Sequence, residues 1–304
     1  MSRAIFLASI MTVSLLMLAC GEAPTAPGAH TWISANGDDA NPCSSKAPCK
    51  TFAVTLSKTP SGGEISVLEP GDFGAISLTK PITFNGEGTT LYVAAGSNGL
   101  SVNAGVNDVV IIKNLTLTGI GGVNGIQFLA GNQLTIESVT ISGFTGNGLD
   151  VELGKNGQGG KLLVKDSSIA NCGKNGFKMS ASAGFATATF DNVKLAGSVN
   201  GIEIGAGNTY AMVNRSSITS HTGSGVLTAA APAVVNVENS IIVFNGTGVN
   251  ANAAGSTIRL SGNGIYHNGE GLKLATGATI ASDGTNRIEG NGVSQSPNAA
   301  IKRQ

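Results

Sequence analysis

The chain has 304 residues, of which 44 are Gly, 12% are charged and 5% are aromatic with a single Trp, and its 18 Lys plus Arg balance 18 Asp plus Glu. The neutral balance excludes the electrostatic footprint of a nucleic-acid or anionic-membrane binder. An apolar content of 41% excludes disorder, and the scarcity of large aromatic side chains argues against a conventional globular core.

In chain order, Arg3 precedes an apolar run from Ala4 to Ala19 that ends at Cys20. About 16 residues is short for a bilayer span and suits the core of a signal peptide over residues 1–19. Residues 20–30 carry Pro and Gly without periodicity and read as a tether, leaving 31–304 as one domain. Cys43 and Cys49 enclose a short loop, and in an oxidising compartment they read as a local disulfide worth about 2 kcal/mol. A zinc site would need further ligands, and no Cys or His follows nearby. Cys172 reads as a buried thiol at a repeat corner.

From Val110 onward a pattern of three short strands returns about every 24 residues. Leu117, Ile141, Ile169, Leu195, Ile218, Ile242, Ile265 and Ile288 form one column, with spacings of 24, 28, 26, 23, 24, 23 and 23. Gly125, Gly148, Gly176, Gly201, Gly225, Gly248, Gly271 and Gly292 form a second, for corners that need positive φ or close packing. Five residues before the first column lies a third: Ile112, Ile136, Val164, Phe190, Val213, Val237 and Leu260. Alternation with period two and a Gly in each repeat exclude helical repeats, no Leu-rich consensus appears, and propeller blades have a longer period. What remains is an all-β coil, a single-stranded parallel β-helix of three strands per rung and about ten rungs. Its inward pairs include Leu134/Ile136 and Ile258/Leu260 on the first strand, and Ile126/Phe128, Phe177/Met179 and Leu272/Leu274 on the third. Asn245, Asn268 and Asn291 are expected to stack as a ladder of turn amides.

Two resemblances sharpen this reading. Leu16-Met17-Leu18-Ala19-Cys20 resembles a bacterial lipobox, which implies acylation of Cys20 and an exported protein of the cell envelope, an outer-membrane lipoprotein facing periplasm or surface. Residues 37–43, 47–52 and 62–73 resemble the opening motif of secreted bacterial right-handed parallel β-helix proteins of the pectate-lyase-like superfamily. The resemblance implies a right-handed coil and a short capping helix near Lys50 to Lys58. It specifies fold more than activity, because enzymes and non-enzymes share it.

Hydrolases of that superfamily use a Gly-His-Gly and an Arg-Ile-Lys element, and neither is present. For a polysaccharide lyase the best cluster is on the outer side of the third strand: Asp150 and Glu152 on one rung, Lys178 on the next, Glu203 on the one after. Two carboxylates two residues apart suit a hard cation such as Ca²⁺, which only the lyase reading requires. The competing reading is a cross-rung ion-pair ladder. A second column, Lys113, Glu137, Lys165, Asp191, Asn214 and Glu238, alternates in much the same way and favours the ladder. His221 and His267 are expected at exposed corners, Tyr92, Tyr210 and Tyr266 form no stacking platform, and Thr116, Thr140, Ser168, Lys194 and Ser217 give the second strand a smooth, hydroxyl-rich face. The expected function is a non-catalytic interaction module for a polysaccharide or an envelope protein, with no resident cofactor or metal, no nucleic-acid partner and membrane contact only through the lipid; the alternative is a polysaccharide lyase. Residues 294–304 look too short and polar to cap the last rung, so fraying or association is expected there.

Overall fold

A computed structural model describes residues 30–302 except residue 156; the signal segment, Cys20 and the tether to residue 29 lie outside the described residues. The described chain coils into a right-handed parallel β-helix. Its third face is a nine-stranded parallel sheet from Ile76–Leu78 to Glu270–Leu274, which defines nine turns. The first and second faces join into one sheet, because long strands such as Val109–Ile120 and Gln133–Ser142 run across the corner between them.

The columns are the registers of these sheets. Leu117 pairs with Ile141, then Ile169, Leu195, Ile218, Ile242, Ile265 and Ile288 in unbroken succession. The third column is equally continuous from Ile112 to Leu260. Alternate side chains point inward, so both columns and the inward pairs of the third strand form one buried core; only Ile288 and Leu274, at the last rung, are partly exposed. The helix Phe52–Lys58 closes the N-terminal end, with Phe52 meeting Phe84 edge-on at 5.4 Å. Cys43 and Cys49 form the expected disulfide, and Cys172 is a buried free thiol.

The Gly column serves close packing, and positive φ falls elsewhere. A Cβ on Gly125, Gly201, Gly225 or Gly248 would lie within 2.7 Å of the carbonyl oxygen of the next glycine in the column. The left-handed non-Gly residues from Asn114 onward occupy two other corner columns. One holds Asn114, Ser138, Asp166, Asn192, Arg215 and Asn239, and the other Asn171, Gly197, Ser220, Phe244, His267 and Gly290.

At the corners, backbone N–H groups leave the strand ladders and need other acceptors. The amides of Cys172, Ser198, His221, Asn245 and Asn268 each donate to the side chain one rung on: Ser198 Oγ, His221 Nδ1, Asn245 Oδ1, Asn268 Oδ1 and Asn291 Oδ1, at 2.9–3.2 Å. A parallel chain runs from Val193 through Ser216, Ser240 and Asn263 to Asn286. The expected amide ladder is therefore longer than three residues, and it contains His221. That residue is buried at 2% exposure and is not the exposed turn residue that the sequence suggested; His267 is exposed as expected.

His221 fits the ladder imperfectly. Its Nδ1 accepts the Ser198 amide, so Nε2 carries the proton, and the buried Nε2 faces the Leu195 backbone without a well-formed hydrogen bond. In the same position Asn245 Nδ2 donates to Ile218 O at 3.2 Å. Burial holds the His221 imidazole below its usual 6.5. As pH falls through about 6.5 the unfolded chain gains a proton that the fold resists, so stability declines from there down to the folded value. His221→Asn is expected to raise stability by about 1 kcal/mol at neutral pH and to flatten that decline, as read from urea midpoints at pH 5 and pH 8.

The C-terminal residues add polar contacts to the last rung while leaving Leu274 and Ile288 partly exposed. Ala299–Ala300 pairs with Ala281 and Ser282, Asn298 accepts the Ile280 amide and donates to Ala278 O, and Ser294 Oγ accepts the Leu272 amide. The polarity that made the segment look unsuitable is what satisfies the open edge.

Candidate functional site

On the outer side of the third face one register runs Gln127, Asp150, Lys178, Glu203, Leu227, Asn250 and Lys273. The structure brings Asp150, Lys178 and Glu203 onto consecutive rungs, as the sequence implied, and places Glu152 beside Ser180. Lys178 Nζ lies 3.7 Å from Glu203, while Glu152 turns to Lys155 at 2.8 Å. Lys178 makes no ion pair with Asp150, so the expected three-residue ladder is complete on one side only.

Asp150 occupies an outward position, yet it is 5% exposed. Its neighbours explain this. Three residues before it runs a second column of amides in which Asn200 Nδ2 donates to Asn175 Oδ1 and Asn175 Nδ2 to Asn147 Oδ1, each at 3.0 Å. Asn147 Nδ2 then donates to Asp150 Oδ1 at 3.0 Å, and Gln127 donates from the preceding rung. The carboxylate is the terminal acceptor of a polarised amide chain, an arrangement in which each bond strengthens the next. Burial, and then the charge of Glu152, push the Asp150 carboxyl above its ordinary 3.8.

The polar groups around Asp150 and Glu152 are paired with neighbours. Asp150 accepts from Asn147 and Gln127, and Glu152 accepts from Lys155. Among the described residues no group of three or more His, Cys, Asp or Glu is placed to hold a metal ion. The cleft at the N-terminal end, about 530 Å³, is bordered by Phe73, Tyr92, Asn98 and Ser101, with Asp72 as the sole charged residue among its described lining; its Asn98 donates to Gln127 Oε1 at 2.8 Å, and Gln127 pairs with Asp150 one rung on.

The fold state of Asp150 has a measurable sign. A carboxyl with a raised folded pKa binds its proton more readily in the fold than in the unfolded chain, so its ionisation weakens the fold as pH rises through and above about 4. Asp150→Asn is expected to raise the thermal midpoint at pH 7, with the gain shrinking as pH approaches 4. Melting curves across that range check it.

The second charged column also forms as a register, but its ion pairs differ from a simple alternation. Lys165 pairs with Glu137 at 2.8 Å, Lys113 reaches back to Glu64 at 3.3 Å, and the corner residue Arg215 forks onto Asp191. The spacing already set Arg215 a rung from Asp191 and Glu238, and the structure pairs it with Asp191; the Lys113–Glu64 pair is one that column spacing alone did not reveal.

The sequence missed the aromatic contacts, because it looked for tyrosines in a common column. Tyr210 lies 5.2 Å from Phe185 between ring centroids, and Phe244 lies 5.5 Å from His267 with the rings within 12° of parallel. The signal was present: Phe244 and His267 both follow a first-column isoleucine by two residues, where other rungs carry Asn, Gly or Ser.

A family model described as the right handed beta helix region matches residues 156–302. Among solved structures, a pectate lyase is 16% identical with a TM-score of 0.49, covering 90% of this chain and 78% of that one. Two mannuronan C-5 epimerase A-modules of Azotobacter vinelandii are each 15% identical, with TM-scores of 0.46 and 0.42. They cover 92% and 91% of this chain and 92% and 90% of their own. These are similarities of fold. No curated protein matches the chain.

Proposed function

We propose that this chain is an exported, lipid-anchored protein of the bacterial cell envelope whose β-helix is a non-catalytic, glycan-facing interaction module. The observation that carries the non-catalytic part is the state of Asp150, the best candidate acid or base, which terminates an amide chain and converges with no second catalytic group. Export is supported by the apolar run ending at Cys20 and by the Cys43–Cys49 disulfide, which suits an oxidising compartment. A rigid stack with long polar faces and little charge suits contact with an extended, hydroxyl-rich polymer.

The test combines binding with turnover. Purified protein is applied to a glycan array and, separately, incubated with acidic polysaccharides and Ca²⁺ while the absorbance of unsaturated products is followed. Binding without product is the expected outcome. Product formation that Asp150→Ala abolishes would establish the polysaccharide-lyase alternative in its place.

A further inference from the structure

The corner between the second and third faces carries two residues that the fold itself does not ask for. Phe244 and His267 hold φ of 60° and 52°, in the left-handed region that a bulky residue adopts only at a cost. Other rungs fill the same column with Asn171, Gly197, Ser220 and Gly290. Phe244 gains little burial in return, because it is 60% exposed. Its one ring contact among the described residues is His267, stacked one rung along. A strained, solvent-exposed aromatic stack contributes little to the core, and strain of this kind gathers where a protein binds something.

The surroundings specify what would fit. The rung before Phe244 presents Ser220 and the rung after His267 presents Gly290, so beyond each ring the column continues without another ring. A shallow cleft of about 490 Å³ opens beside the stack, bordered by Ser220, Thr222, Gly246 and Gly269, and among the described residues no Asp, Glu, Lys or Arg lines it. On the adjoining face the Tyr266 ring lies across Gly264. The ligand is therefore uncharged, has a flat apolar face to continue the stack and carries hydroxyls at its edge for Ser220 and Thr222. A pyranose ring has that combination, with C–H groups on its face and hydroxyls around its rim.

We infer that the Phe244–His267 corner is a binding site for a pyranose unit of a neutral glycan, stacked on the aromatic pair. This rests on the glycan-facing reading above and assigns it a location away from Asp150 and the third face.

The test uses Phe244→Asn and His267→Asn, because Asn171 already occupies the same left-handed position and the substitutions keep the backbone. Titration calorimetry of the full chain with cellohexaose, xylohexaose, mannohexaose and chitohexaose is expected to find a neutral ligand. Phe244→Asn should then weaken it by at least about tenfold while the thermal midpoint stays level or rises. Binding of a neutral oligosaccharide that survives both variants overturns this site and leaves the glycan-facing reading standing. Binding lost only together with a lowered midpoint overturns it too, since the rings would then be structural. So does a dimer in solution that Phe244→Asn dissolves, or binding confined to acidic polymers. Failure of the full chain to bind any neutral or acidic glycan removes both proposals.

Discussion

Replacing Asn268 by Leu is expected to destabilise the protein by about 3–5 kcal/mol, the largest effect of any single side-chain change in the corner ladders. Asn268 is 2% exposed and works in both directions along the stack. Its Oδ1 accepts both the backbone amide and the side-chain amide of Asn245, at 2.9 Å each. Its Nδ2 reaches Ile242 O at 3.1 Å, Tyr266 O at 3.0 Å and Asn291 Oδ1 at 3.0 Å. Leu has similar volume, so the cost is that of leaving the Asn245 N–H and the Ile242 carbonyl buried without partners. Urea denaturation followed by circular dichroism measures it. The same change at Asn291, on the partly exposed last rung, should cost much less because water can replace the lost bonds.

The second large effect is expected from Gly148→Ala, at about 2–3 kcal/mol. The added Cβ would stand 2.3 Å from Ile169 Cγ2, 2.8 Å from Gly176 O and 3.1 Å from Cys172 Sγ. Relief by moving the backbone is blocked, because the Gly148 amide donates to Asn175 O and its carbonyl accepts the Ile126 amide. Gly148 has no positive φ, so the penalty is one of overlap alone. Gly284→Ala is the matching control: its φ is +83° and its Cβ would meet nothing within 4 Å, so it isolates backbone strain. A denaturation midpoint that falls further for Gly284→Ala than for Gly148→Ala would contradict the close-packing role of the column.

The columns were legible because stacking enforces them. Each inward residue must meet its counterpart one rung away, so Leu117 through Ile288 share both an apolar character and a spacing. The ladder was only half legible. Cys172, Ser198, His221 and Asn245 have little chemistry in common, and what unites them is a backbone N–H that needs an acceptor from the next rung. Only the stretch where every member is Asn announced itself. The burial of Asp150 was hidden for a related reason: strand alternation points it outward, and the groups that cover it, Asn147 and Gln127, belong to a turn and to the neighbouring rung. Phe244 was obscured because spacing along the chain does not report a left-handed corner, which redirects the side chain toward a different neighbour.

These observations share one claim, that the polar and charged side chains of this chain are largely committed to holding the coil in register. Hydrogen exchange resolved to single amides tests it most directly. The corner amides of Cys172, Ser198, His221, Asn245 and Asn268 donate to side chains and to no backbone carbonyl. Their protection is predicted to match that of the flanking strand amides, such as Ile242 and Ile265, with slow exchange recurring every 23 to 26 residues. Corner amides that exchange as fast as ordinary surface loops would contradict it.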